Sequence, residues 1–396
     1  MTDVYIGSQL VGRFQKSAHY YAFDYADNYS AFPISASMPL AKRHYENKKV
    51  GAWLGNLIPE SSAVLADLQR MYRIPDLSNP LKILEAIGRD TPGALSFYPD
   101  GVAPDPSGSL EEVSEDDVAQ EIRRIRTLRR GSYSRISLAG AQPKTSYRVD
   151  SNGRWYKPTG AYASTHILKP APIGHDDENI DYIEHAMAVC ARLLHLPVVK
   201  TGIWDVGGER VFVAERYDRI RDRDGNVIRL HQEDLMQVLG RDHSRKYQTD
   251  SGPNVSDLIR KVRELDPSSE QTVWEILAFD IAIGNADAHG KNWSFLIDPS
   301  GHHLSPAYDL LSLRPFPQYN QKLAMSIGGQ YDYEKVGMSE WKKETQRAGA
   351  QPDMVHDAVE RINDELPRAL EEALGSINED IPQFESIRQL IGTPHS

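Results

Sequence analysis

A run of eight residues, Asn285-Ala-Asp-Ala-His-Gly-Lys-Asn292, is the feature that most constrains this chain. Within it Asp287 precedes Asn292 by five positions, and Asp309 follows seventeen residues after Asn292. In a phosphoryl-transfer site with this order, the first Asp orients or deprotonates the accepting hydroxyl, while the Asn and the second Asp hold magnesium against the nucleotide phosphates. Carboxylate and amide oxygens are hard ligands that suit Mg²⁺. The pattern therefore predicts a fold that brings these three side chains together around ATP and Mg²⁺.

Size and composition exclude several classes of protein. The chain has 396 residues, which suits two or three domains. Its net charge of −11 argues against a protein that binds nucleic acid through overall charge. Its one cysteine, Cys190, cannot form an internal disulfide, so we expect a reducing compartment, the cytoplasm. Residues 1–7 have no basic n-region and no long apolar run, so we expect no signal peptide. No apolar stretch reaches the ~18 residues of a membrane span, so we expect no membrane partner.

Apolar periodicity predicts a chain of mixed strands and helices. The predicted strands are 4–14, 20–23, 166–169 and 210–214, with a hairpin at 293–297 and 303–308. The predicted helices are 64–72, 81–87, 120–130, 183–194, 274–281 and 355–366. Pro, Gly, Ser and acidic residues between 99 and 117 indicate a linker or exposed loop. Cys190 lies on the apolar face of its helix and is expected to be a buried structural thiol.

Residues upstream of the run could complete the site. Lys169 ends a predicted strand, where its ammonium could neutralise the nucleotide phosphates, although lysines at strand ends are commonly solvated. Glu184, fifteen positions later, could be its ion-pair partner. The segment from Glu215 to Tyr217, at the end of another strand, could offer backbone groups to adenine or could be a plain connection.

Other candidates carry weaker signals. The turn 137–144 has small residues whose N–H groups could approach phosphate, but it matches neither the Walker nor the kinase glycine pattern. An ordinary turn is the alternative. His289 and Lys291 could touch phosphate or be polar loop residues. His231 has no second His or Cys at ligand spacing, so we expect a structural role for it.

At these residues the chain resembles the HipA family, the serine/threonine-kinase toxins of bacterial HipBA toxin–antitoxin modules. The resemblance runs through 32–40, 56–60, 87–94, 135–144, 166–170, 215–219, 231–234, 246–247, 284–292 and 308–309. The last sixty residues match weakly. The resemblance implies an α+β, HipA-like and protein-kinase-like two-lobed fold, with an N-terminal α/β region and a mainly helical C-terminal lobe. The implied domains are an N-terminal subdomain (1–118), a kinase N-lobe with the phosphate loop (119–215) and a helical C-lobe (216–396).

The same resemblance implies a role for each candidate residue. Asp287 is similar to the family's catalytic Asp, and Asn292 and Asp309 are similar to its magnesium ligands. The remaining nucleotide-binding positions would be Ala139, Gly140, Ala141, Gln142, Pro143, Lys144, Lys169, Glu215, Arg216, Tyr217, His289 and Tyr308. Ser137 is similar to the family's autophosphorylated serine. A phosphate there adds about −1.5 to −2 charges and would repel ATP from the adjoining loop.

The resemblance also implies partners. These are a HipB-like helix-turn-helix antitoxin, operator DNA contacted mainly through that antitoxin, and a protein substrate, an aminoacyl-tRNA synthetase. The basic stretch 123–130 could touch DNA or a partner, or could be a solvated face. Two other functions stay open from the residues: a small-molecule kinase, and a weakly active nucleotide-binding corepressor that scaffolds an antitoxin on DNA.

Overall fold

The computed structural model describes residues 1–105, 108–127, 144–160, 162–172, 174 and 178–391. That part of the chain contains 18 strands and 11 α-helices, arranged in three regions. None of its helices combines the length and the apolar composition that crossing a bilayer demands.

The N-terminal region is a five-stranded antiparallel sheet covered by three helices, with strand order β4-β3-β2-β1-β5. Its elements are β1 (Thr2–Ile6), β2 (Gln9–Lys16), β3 (Tyr21–Tyr25), β4 (His44–Asn47), α1 (Lys48–Gly55), α2 (Ser62–Tyr72), α3 (Pro80–Ile87) and β5 (Leu95–Pro99). Phe14 and Phe23 pair across β2 and β3, with ring centroids 4.5 Å apart. Trp53 and Phe97 close the same fully buried core. The helices predicted at 64–72 and 81–87 are confirmed, and the strand predicted at 20–23 corresponds to β3. The single strand predicted at 4–14 is wrong, because residues 7–8 form a turn and the segment is the hairpin of β1 and β2.

The middle region is a six-stranded antiparallel sheet with order β10-β11-β9-β7-β8-β6. Its elements are β6 (Leu110–Val113), α4 (Glu115–Thr127), β7 (Thr145–Val149), β8 (Trp155–Pro158), β9 (His166–Pro170), α5 (Ile180–Leu193), β10 (Thr201–Val206) and β11 (Glu209–Glu215). Helix α4 buries Val118, Ile122 and Ile125 against Leu168 and Val213 of the sheet. The strands predicted at 166–169 and 210–214 are β9 and β11, which pair with each other inside this sheet.

The interpretation of 99–117 as a loop is wrong for its second half. Residues 110–113 form β6, which pairs with β8, and α4 already begins at Glu115. Two acidic residues in a four-residue strand give little strand signal, so its partner strand decides its conformation. A domain boundary at 118 would fall inside α4, and the middle region begins at about Leu110. Helix α4 ends at Thr127, so residues 128–130 of the predicted basic helix lie outside the described part.

The C-terminal region is mainly helical but contains three small sheets. Its elements are β12 (Arg219–Arg221), β13 (Val227–Arg229), β14 (His231–Asp234), α6 (Leu235–Leu239), α7 (Val255–Leu265), α8 (Glu270–Ala282), β15 (Ser294–Asp298), β16 (Gly301–Leu304), β17 (Lys322–Ile327), β18 (Gln330–Asp332), α9 (Met338–Ala348), α10 (Pro352–Gly375) and α11 (Gln383–Ile391). The predicted hairpin is β15–β16, although residues 305–308 leave the strand.

Helix α5 joins the middle region to the C-terminal core. Its apolar face, with Ile183, Met187 and Cys190, packs in one cluster with α8 and α10. Burial raises the pKa of the Cys190 thiol to about 12, which suits the expected structural thiol. One face of α5 is thus fixed by the helical core while its other face meets the sheet, where Glu184 lies.

The packing of the core predicts that replacing each of two isoleucines by alanine will change the free energy of unfolding by very different amounts. Ile362 on α10 is fully buried, whereas Ile220 on β12 is 44% exposed. Ile362→Ala should lower the free energy of unfolding by ~2–5 kcal/mol because it leaves a cavity, and Ile220→Ala should change it by less than ~0.5 kcal/mol. Urea unfolding followed by circular dichroism measures both. Equal losses in the two variants would contradict this packing.

Candidate active site

The run 285–292 is held to the end of helix α8 by Asn285. Gly284, at a φ of 68°, turns the chain out of the helix in a conformation that glycine adopts readily. The Asn285 side-chain nitrogen then donates to Asp280 Oδ1 at 2.7 Å, and its side-chain oxygen accepts the Asp287 N–H at 3.3 Å. Burial raises the pKa of Asp280 to about 7. Asn285 therefore links a buried carboxyl group to the backbone of Asp287.

Asp287 and Asn292 lie together on this loop. The Asn292 side-chain nitrogen donates to the Asp287 backbone oxygen at 3.3 Å. The Asp287 carboxylate accepts a hydrogen bond from the Tyr247 hydroxyl, with 2.7 Å between Tyr247 Oη and Asp287 Oδ1. The first two members of the predicted site thus share one loop, and Tyr247 contacts it from outside the run.

From the sequence, His289 and Lys291 could equally touch phosphate or be polar loop residues. In the structure, their side chains face different surroundings. His289 is fully buried, its Nδ1 accepts the Lys291 N–H at 3.3 Å, and its Nε2 has no hydrogen-bond partner in the described part of the chain. Burial and the Lys246 charge hold the His289 pKa well below its usual range. The ring is therefore neutral, with its proton on Nε2, a buried donor that suits an incoming anion.

Lys291 turns towards the N-terminal region instead. Its ammonium lies 2.9 Å from the backbone oxygen of Asn56 and 3.4 Å from Asp234 Oδ2. These contacts assign the Lys291 side chain to holding the loop, and they favour the polar-loop interpretation for this residue.

Lys169 lies between two carboxylates. Its Nζ is 2.7 Å from Glu184 Oε1 and 2.6 Å from Asp309 Oδ1. Burial disfavours the charge, but Asp309 and Glu184 outweigh it and raise the pKa of Lys169. Burial raises the pKa of Glu184, and Lys169 with Lys144 lowers the pKa of Asp309 against burial. Pairing with Glu184 was only a possibility in the sequence, and the structure contains it.

Asp309 has an unusual backbone conformation. Its φ of 53° lies in the left-handed region, which costs a residue with a side chain of order 1–3 kcal/mol. The preceding Tyr308 anchors it, because the Tyr308 hydroxyl donates to the Lys291 backbone oxygen at 2.7 Å and lies 2.6 Å from Ser294 Oγ. Asp309 thereby lies near the loop that carries Asn292.

The side chains of the connection 215–217 point in two directions. Tyr217 stacks on Tyr308, with ring centroids 5.7 Å apart. Arg216 is buried and pairs with Asp218 at 2.9 Å and Asp90 at 3.4 Å, so its side chain ties the connection to the N-terminal region. The N–H groups of Glu215 and Arg216 donate to backbone oxygens of the protein. Of this segment, Tyr217 is the residue whose side chain faces the site.

The predicted phosphate loop is described only at its end. Ser137, Ala139, Gly140, Ala141, Gln142 and Pro143 lie outside the described residues. Lys144 leads directly into β7, where Thr145 pairs with Leu168, the neighbour of Lys169. The charge of Lys144 contributes to the lowered pKa of Asp309. The segment therefore enters the sheet beside Lys169.

The donor set suits a magnesium ion that is shared with a nucleotide. Within the described residues, no group of three or more His, Cys, Asp or Glu side chains is arranged to hold a metal. Mg²⁺ commonly takes one or two protein ligands and completes its shell with phosphates and water. The amide oxygen of Asn292 and the carboxylate of Asp309 are the donors that could supply such a pair. His231 donates from Nε2 to the Ile34 backbone oxygen at 2.9 Å, in keeping with the structural role expected for it.

Sequence reasoning missed the residues that support the loop from outside. Tyr247, Asn56 and Glu60 belong to runs that the resemblance quoted, but no spacing rule connects them to Asp287. These residues lie 40 to 235 positions away in sequence from the loop residues that they contact. Sequence motifs relate residues over much shorter separations.

Comparisons with known proteins show the family to which this chain belongs. Residues 136–370 match the HipA-like C-terminal domain, and residues 2–98 match the HipA N-terminal domain. The first match alone covers more than half of the chain. The chain belongs to the HipA family.

Individual relatives span nearly the whole chain. A putative kinase of Sinorhizobium fredii, Y4mE, is 31% identical over 94% of this chain and 91% of its own length. The serine/threonine-protein kinase toxin HipA of Shewanella oneidensis is 29% identical over 96% of this chain and 92% of its own length.

The fold is also that of HipA. A solved structure of the Shewanella oneidensis HipA, HipB and operator DNA complex matches with a TM-score of 0.88 and 25% identity, covering 99% of this chain and 96% of that chain. The expected α+β, two-lobed HipA-like fold is confirmed.

The raised pKa of Asp280 predicts that the free energy of unfolding depends on pH. In the folded chain the Asp280 carboxyl keeps its proton up to about pH 7, whereas an exposed Asp carboxyl loses its proton near pH ~3.9. The folded state then binds more protons between these values, so the free energy of unfolding must fall as pH rises through this window. Asp280→Asn keeps an acceptor for Asn285 and removes the titration. Urea unfolding from about pH 4.5 to 7.5 should show wild type losing stability relative to the variant, and parallel curves would contradict this assignment.

Proposed function

We propose that this HipA-family chain is an ATP- and Mg²⁺-dependent protein serine/threonine kinase, the toxin of a HipBA-type module. The observation that carries the proposal is the Lys169 ammonium held between Glu184 and Asp309, with Asp287 and Asn292 on the adjoining loop. A lysine paired with a helix glutamate, beside an acidic metal ligand, is a recurrent part of protein-kinase sites.

Each side chain has a task in this proposal. Lys169 neutralises the nucleotide phosphates, and Asn292 and Asp309 hold magnesium, whose charge would offset that of the phosphates. His289 donates from Nε2 to a phosphate oxygen. Tyr217 and Tyr308 contact the nucleotide, with Glu215 and Arg216 in the connection. Residues 139–144 form the phosphate loop.

Asp287 acts on the accepting hydroxyl. Its carboxylate accepts the proton of a serine or threonine hydroxyl as that oxygen bonds to the γ-phosphorus of ATP, while the bond from this phosphorus to the β–γ bridging oxygen breaks and ADP leaves. Its backbone is fixed through Asn285, and its carboxylate through Tyr247. A base held in this way loses little freedom when substrate arrives.

Partners follow from the relatives. The Shewanella oneidensis structure contains HipA, HipB and operator DNA, which supports a HipB-like antitoxin and operator DNA as partners here. With a net charge of −11, we propose that DNA is contacted mainly through the antitoxin. The substrate we propose is an aminoacyl-tRNA synthetase, phosphorylated in the cytoplasm to inhibit translation.

Ser137 is the proposed autophosphorylation site. A phosphate beside the nucleotide-binding loop would compete with ATP for the same N–H donors and repel its phosphates. Phosphorylation there would then switch the kinase off.

Two substitutions test the proposed roles. Asp287→Asn removes the proton acceptor and Asp309→Asn removes a metal ligand, and each should lower phosphate transfer from radiolabelled ATP by roughly 10²–10⁴-fold. Asp298→Asn, in the half-exposed turn between β15 and β16, is the matched control and should transfer at the wild-type rate. Thermal unfolding checks that all three variants fold. An Asp309→Asn protein as fast as wild type would remove the metal assignment.

The same variants separate a protein kinase from a small-molecule kinase. Phosphoproteomics of cells that express wild type or Asp287→Asn should show serine or threonine sites that depend on wild type. If extracts of the cells that express wild type contain newly phosphorylated small molecules and no newly phosphorylated protein, the protein-kinase proposal is wrong.

A further inference from the structure

Tyr247 contacts two side chains of the run 285–292, those of Asp287 and His289. Its hydroxyl donates to Asp287 Oδ1 at 2.7 Å, and its ring meets His289 edge to face, with centroids 5.3 Å apart and an interplanar angle of 74°. Both Tyr247 and Asp287 are partly buried. A carboxylate that accepts this hydrogen bond is restricted in its rotation about χ2, so Tyr247 limits the directions in which Asp287 can point.

The segment that carries Tyr247 is itself fixed to the loop. The Gly290 N–H donates to the backbone oxygen of Lys246 at 3.2 Å, one residue before Tyr247. The Gly252 N–H donates to the Tyr247 backbone oxygen at 2.9 Å. A Cβ on Gly290 would lie 2.6 Å from Pro253 Cγ, so the loop and this segment are closely packed.

The N-terminal region contacts both this segment and the loop through Glu60. Its Oε2 lies 2.6 Å from Lys246 Nζ, and its Oε1 lies 3.8 Å from Lys291 Nζ. Among the described residues Oε1 has no hydrogen-bond partner, so it meets Lys291 through charge alone. Lys291 lies in the loop and Lys246 lies beside it, and Glu60 and Asp234 balance their charges.

Buried charges of this kind are costly to leave unpaired. The side chains of Glu60, Lys246 and Lys291 are each no more than 15% exposed. Removing the charge of Glu60 would take a carboxylate away from the buried ammonium of Lys246, which destabilises this arrangement and favours movement of the lysine. Movement of Lys246 would displace its neighbour Tyr247.

We propose that Glu60 and Tyr247 are positioning residues for the transfer reaction: Glu60 of the N-terminal region fixes Lys246 and Lys291, and the adjoining Tyr247 orients Asp287. This inference rests on the proposed function, because it assigns Asp287 to the accepting hydroxyl. It gives the N-terminal region a part in catalysis, through a side chain that lies outside residues 136–370.

ADP formation from Mg-ATP by the full-length chain tests the proposal. Tyr247→Phe keeps the ring against His289 and removes the hydroxyl, so kcat should fall by roughly 10- to 100-fold while KM for ATP stays within about twofold. Glu60→Gln should lower kcat in the same way by a smaller factor. The double variant should be about as slow as Tyr247→Phe alone, since both changes act through one path.

Tyr156→Phe is the matched control. The Tyr156 hydroxyl also donates to an aspartate, Asp150, at 3.2 Å, but on the hairpin of β7 and β8. This variant should keep the wild-type kcat and KM. If Tyr247→Phe does not fold by circular dichroism, Glu60→Gln alone carries the test.

Several results would overturn the proposal. Wild-type kcat in Tyr247→Phe or in Glu60→Gln would do so, as would a raised KM for ATP with unchanged kcat. A faster Tyr247→Phe enzyme would mean that the hydroxyl blocks Asp287 and does not orient it. An active Asp287→Asn protein would instead refute the proposed function, whereas an inactive one beside a fully active Tyr247→Phe refutes the positioning role alone.

Discussion

The Lys169 ammonium between two carboxylates is the interaction on which the rest of the site depends. It joins three parts of the fold: a central strand of the middle sheet, helix α5 through Glu184, and the segment after β16 through Asp309. Burial of three charges gives little net stability, because desolvation offsets the attraction. The arrangement therefore makes more sense as a binding site than as a support of the fold.

Contacts around this triad come from the whole chain. Arg216 ties the connection between regions to Asp90 and Asp218, and Lys291 ties the loop to Asn56. Both anchors lead into the N-terminal region, which holds the site from one side as the helical core holds α5 from the other. The strained backbone of Asp309 is stabilised within this frame by the hydrogen bonds of Tyr308. Strain of this kind persists only where the surroundings over-determine it.

Much of this could be predicted from the sequence, because the signals were local. The helix with Ile183, Met187 and Cys190 follows from apolar spacing alone, and the five-residue spacing of Asp287 and Asn292 places both on one loop. Strand β6 was missed because its two glutamates give no alternation of apolar residues, and its pairing with β8 decides its form. Tyr247 and Glu60 were missed for a different reason. Their importance comes from contacts that exist only after folding, and neither residue type nor spacing marks them.

Calorimetric titration of ATP with Mg²⁺ into wild type and Lys169→Met tests the account most directly. If Lys169 holds the phosphates and positions Asp309, the variant should bind Mg-ATP at least about tenfold more weakly, the loss of one charge-assisted hydrogen bond. Lys335→Met, which removes an exposed lysine paired with Asp332, should bind as wild type does. Equal affinities in wild type and Lys169→Met would contradict the account.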